Sequence, residues 1–142
     1  MPLDAIPIVT ATATATAAAA AGQSGNAPVL LREIAEMVRR LLKDGEMSAI
    51  DLQALPLTPA DIDWLHERLG EGEIAVTLDA DGESTLIETN CPGVWWVTHR
   101  NPNGAVVSEF IEVAYVPEIV KAHREDVLIG LEHLELLISD LS

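Results

Sequence analysis

The sequence predicts an α+β domain: a four-stranded antiparallel meander with helices packed mainly on one face, in the order α-α-β-β-β-β-α. Three observations predict it. Apolar residues recur at helical spacing as far as Leu69, alternate with period two from Glu73 to Tyr115, and return to helical spacing afterwards. Two loops inside the alternating part, "DADG" at 79–82 and "NPNG" at 101–104, have the residues of three-residue hairpin turns closed by a glycine bulge. The chain of 142 residues is long enough for one core and short for two.

Residues 1–27 are Ala/Thr-rich and nearly uncharged, which predicts a flexible leader ahead of a single domain spanning 28–142. Nothing basic precedes Ala21, Asp4 is acidic and alternating threonines make a poor apolar segment, so a secretory signal is not expected. The first helix follows: Leu31, Ile34, Ala35, Val38, Leu41 and Leu42 form its apolar side, Asn26 and Pro28 suit its entrance, and Gly45 suits its exit. "AIDLQALPL" reads as an extended connector whose Ile50, Leu52, Leu55 and Leu57 cover a core edge. In "LTPADIDWLHERLG" Thr58 is the expected N-cap, Pro59 the first helical residue, Asp61 the partner in a capping box and Gly70 the stop.

The first hairpin places Ile74, Val76, Leu78 and Leu86 on one face and Ala75, Thr77, Thr85, Ile87 and Thr89 on the other. In the second, a three-residue loop pairs Asn101 with Ala105, so that Trp95 lies opposite Ile111 and Trp96 opposite Phe110. Trp95, Val97, Ile111 and Val113 are then expected under the helices. Trp96 and Phe110 form an exposed aromatic pair framed by Thr98, Arg100, Ser108 and Glu112. Aromatics and arginine are enriched at interface centres, so these six residues are the candidate partner-binding set. A purely structural cross-strand pair, covered by a homodimer or by the leader, stands beside that reading. After Tyr115 a short turn and a longer helix are expected, with Val127, Leu131, Leu134, Ile138 and Leu141 as its stripe.

Chemistry finds little support. His66, His99, His123 and His133 are dispersed, and no serine, cysteine or carboxylate stands at a spacing that forces it beside one of them, so no catalytic residue is expected. Cys91 is the single cysteine, which excludes an intrachain disulfide and fits a reducing cytoplasm. No C-x-x-C or H-E-x-x-H pattern occurs, and neither a metal nor a cofactor is expected. With 23 acids against 8 bases the formal charge is −15, which disfavours nucleic acid and anionic membrane surfaces as partners.

"LREIAEMVRRLL", "AIDLQALPLTPADIDWLHERLGEGEIAVTL" and "PGVWWVTHRNPNGAVVSEFIEVAYVPEIVKAH" together resemble the C-terminal conserved region of the HupH/HyaF/HoxQ hydrogenase expression proteins, over residues 29 to about 136. "PGVWWVTHRN" with "EFIEV" and "VPEI" is the most specific part. The resemblance implies a cytoplasmic accessory protein, chaperone or scaffold-like, in maturation of an uptake [NiFe] hydrogenase. Its implied partners are the iron–sulfur small-subunit precursor or other maturation proteins, with no enzymatic activity or cofactor attached to this region. Family members commonly carry a sizeable domain before it, where this chain has only the leader, and they tend toward proline where Arg124 stands. Two further readings remain: a homo-oligomeric structural or regulatory module unrelated to hydrogenase, and a small enzyme using His99.

Overall fold

The computed structural model describes residues 22–141. The leader expected over 1–27 lies mostly outside them, but its last residues are fixed and the helix begins earlier than Pro28. Helix α1 (Asn26–Asp44) buries Ala27, Leu30, Ile34, Met37 and Leu41 along one side and ends at Gly45, whose positive φ lets its N–H reach the Leu41 carbonyl. Helix α2 (Pro59–Leu69) has the capping box its sequence predicts: Thr58 accepts from the Asp61 N–H, and Asp61 accepts from the Thr58 N–H.

Asp61 does more than cap. It is fully buried, and its carboxylate also accepts from the Ser24 N–H and the Ser24 hydroxyl, while the Thr58 hydroxyl donates to the Gly22 carbonyl. The segment leading into α1 is therefore tied to the start of α2. Burial pushes the Asp61 carboxyl up, but the Ser24 and Thr58 hydrogen bonds outweigh it and hold the group below the ordinary carboxylate value.

The sheet has five strands where four were expected: β1 (Ser48–Asp51), which lies between α1 and α2, and then β2 (Ala75–Asp79), β3 (Glu83–Glu88), β4 (Val94–Arg100) and β5 (Val106–Val113). The order across the antiparallel sheet is β1-β5-β4-β3-β2. The last four form the predicted meander. The additional strand is β1, at the start of the expected connector, which pairs with β5 and sets Ile50 opposite Ile111. Four residues are too few for period-two alternation to declare itself.

The first hairpin has its predicted register, Val76 opposite Leu86 and Thr77 opposite Thr85. The second does not. Asn101 does pair with Ala105, and Arg100 lies opposite Val106, but His99 lies opposite Ser108, so Val107 is an extra residue on β5. Beyond this bulge every pairing slips by one. Trp96 faces Ile111 and Trp95 faces Glu112, and β4 is turned over relative to the expectation while β5 is not.

The core under α1 and α2 therefore holds Val94, Trp96, Ile111 and Val113 together with Leu30, Ile34, Met37, Leu41, Leu65 and Leu69. Trp95, Val97 and Leu86 form a second buried cluster on the opposite sheet face, edged by Val76, Leu78, Phe110 and Val120. The Trp95 indole N–H donates to the Ala114 carbonyl at 3.0 Å. Past β5 a single 3-10 turn (Glu118–Val120) leads to helix α3 (Arg124–Ser139). Its stripe was expected to join the packed helices. Instead none of its residues is buried.

Candidate protein-binding face

The six residues expected to share a face are divided between two. Strand alternation keeps Phe110, Ser108 and Glu112 on the face away from α1 and α2, as expected, but carries Trp96, Thr98 and Arg100 to the helix side. No exposed Trp96–Phe110 pair exists. Trp96 is 5% exposed, and Phe110 lies opposite Val97 with its ring centroid 5.5 Å from that of His99.

On the helix side a row of residues in register, Ala75, Ile87, Trp96, Ile111 and Ile50, crosses all five strands. The next row is polar: Thr77, Thr85, Thr98 and Glu109 lie side by side across β2 to β5. Trp96 joins the two rows. Its indole N–H donates to the Glu109 carboxylate at 2.8 Å, and the imidazole of His66, on α2, meets its ring edge-on with centroids 4.8 Å apart. Thr77 and His66 are exposed, Thr85 and Glu109 are half-buried, and Thr98 is nearly covered. Arg100 follows Thr98 on the same strand face.

Hydroxyls, a carboxylate and an imidazole thus lie beside the buried Trp96 ring. Such a row can hydrogen-bond a polypeptide segment laid across it. Charge-assisted bonds accepted by Glu109 would favour a basic one. Sequence reasoning missed His66 and Glu109; Glu109 shares parity with Ile111, so the correct β4 register would have found it.

On the other face Ser84 and His99 are hydrogen-bonded, Oγ to Nδ1, at 2.6 Å. The expected small-enzyme alternative needs such a base. Among the described residues no carboxylate is hydrogen-bonded to the remaining nitrogen of His99, the group that would orient it. Cys91 is exposed on the loop between β3 and β4. Among the described residues no three His, Cys, Asp or Glu side chains lie close enough together to hold a metal ion.

A profile of the HupH hydrogenase expression protein, C-terminal conserved region, matches residues 25–141. The chain belongs to this family. A solved structure of the hydrogenase expression protein HupH from Thiobacillus denitrificans ATCC 25259 is 58% identical, superposes with a TM-score of 0.80, and corresponds to 83% of this chain and 98% of that one. The hydrogenase expression/formation protein HupH of Rhodobacter capsulatus is 34% identical over 101 residues, covering 71% of this chain and 36% of its own length. The corresponding HoxQ protein of Azotobacter vinelandii is 30% identical over 111 residues, covering 77% and 39%. The chain thus spans about two fifths of the length of these curated relatives. No described helix is long and apolar enough to cross a membrane.

Proposed function

We propose that this HupH-type domain is an accessory protein in the maturation of an uptake [NiFe] hydrogenase, working in the cytoplasm by binding polypeptide and carrying no catalysis of its own. The single observation that carries the reading is the family match over residues 25–141, supported by its 58% identity to a HupH structure. The client is the precursor of the iron–sulfur small subunit. Its contact is the polar row Thr77, Thr85, Thr98 and Glu109 with Arg100 at its end, and the buried Trp96 holds Glu109 in place from beneath. Phe110, Ser108 and Glu112, on the opposite sheet face, take no part in that contact.

Two features favour this surface. Threonines in one cross-strand row present hydroxyls at the strand spacing of about 4.8 Å, which suits a segment running across the strands. The Glu109 carboxylate in that row is an acceptor for a basic segment, which the net charge of −15 draws in over a distance set by ionic strength. Deleting the gene from a host that makes an uptake hydrogenase tests the role. Hydrogenase activity should fall and unprocessed small subunit should accumulate, both restored by a plasmid copy. Unchanged activity and processing would contradict it.

A further inference from the structure

Helix α3 is unlike the rest of the domain. From Lys121 to Leu141 every residue is exposed, and the apolar ones run from 48% exposure at Leu128 to 85% at Leu141. A 16-residue helix is about 24 Å long, and a helix that displays apolar residues over this length is a buried helix waiting for its cover. From this we infer that α3 is the interface of a homodimer, in which it packs on the α3 of a second copy.

The pattern of the helix chooses that occupant. Val127, Leu131, Leu134, Ile138 and Leu141 are spaced 4, 3, 4 and 3 residues apart, the seam of a helix that pairs with another helix. Beside that seam lie Leu128, Gly130, Glu135 and Leu137, three of them apolar or small. The other acids of the helix, Glu125, Asp126, Glu132 and Asp140, occupy outer positions. A basic foreign helix would be read by acids flanking the seam, as complementary charges do in paired helices. A second copy of an acidic chain needs the reverse, with its acids away from the seam, and four of the five acids of α3 are so placed, Glu135 being the exception. Gly130 beside the seam allows close approach of the backbones.

The area suffices. Five seam residues and the flanking leucines from each of two copies would remove on the order of 1,000 Å² from water, the lower bound for a specific interface. Ile129 and Leu136, on the far side of the helix, are exposed as well. They gain cover where the body of the second copy closes over α3.

The test is the mass of the full chain in solution at about 100 µM, well above a micromolar dissociation constant, by sedimentation equilibrium. The wild type should sediment at twice its 15.2 kDa mass, and the double variant Leu131→Glu/Ile138→Glu should sediment as a monomer with an unchanged circular dichroism spectrum of its sheet. A second measurement works whatever the double variant does. In a Cys91→Ser background, Leu134→Cys should form a disulfide with itself under mild oxidation if the two helices run parallel, and with Leu131→Cys of a mixed second copy if they run antiparallel, while Glu132→Cys should cross-link in neither case. A monomeric wild type overturns the proposal and leaves α3 to a different partner. A dimer that survives both glutamates, or a cross-link at position 132 in preference to 134, overturns it too.

Discussion

Trp96 serves two neighbours at once, closing the core beneath α1 and α2 with its ring and binding Glu109 with its N–H. Trp96→Ala should therefore cost about 3–5 kcal/mol as a core truncation. Trp96→Phe should cost less, about 1.5–3 kcal/mol, the loss of a hydrogen bond to a charged acceptor. Urea unfolding of the two variants checks this, and a Trp96→Ala protein as stable as wild type would place the residue outside the core. Asp61 makes a pH-dependent contribution. Its carboxyl is held below the ordinary value in the folded protein, so its stabilisation is fully present above about pH 4 and is lost as pH falls through the folded value. Asp61→Asn should be less stable than wild type at pH 7, with the gap closing in acid; a constant gap from pH 7 to pH 2 would contradict that. Ser48 has the opposite character, a buried hydroxyl with no hydrogen-bond partner among the described residues. Ser48→Ala should be neutral or stabilising by up to about 1 kcal/mol, read from the same melts.

At the scale of elements, α1, α2 and both hairpin loops were legible because each carries chemistry of its own: a stripe, a capping box, a glycine at positive φ. Gly82 shows how tight one of these turns is. Its φ is +112°, and a Cβ there would lie 2.1 Å from the Arg100 carbonyl oxygen. Gly82→Ala should cost more than about 1 kcal/mol and speed amide exchange in β2 and β3 ahead of β5; uniform exchange across the sheet would show that the turn does not close on β4. The parity of β4 was not legible. Val94, Trp96, Trp95 and Val97 are all apolar, so alternation gives no preferred face to a strand buried on both sides, and only the bulge at Val107 decides it. A bulge leaves no mark in "AVVSEF" that a plain strand would lack. The candidate face suffered accordingly: Thr98 and Arg100 belong to the expected set, while Glu109 and His66, which meet Trp96 only in the true register, do not. Strand β1 stayed hidden because four residues beside a 3-10 turn resemble any extended connector.

Across the whole molecule, two surfaces divide the tasks. We propose the polar row on the helix side for a client, and α3, projecting apolar side chains from the far end of the chain, for a second copy. The family match reads the same in either case, since it spans both. Client binding at the polar row is the central claim, and affinity capture tests it most directly. The purified chain is immobilised and exposed to extract from cells accumulating hydrogenase small-subunit precursor. The wild type should retain the precursor, and Thr77→Arg/Thr85→Arg, folded by circular dichroism, should retain it about tenfold less, equivalent to about 1.4 kcal/mol of binding. Equal retention by wild type and the double arginine variant, or no precursor retained by either, would contradict the account.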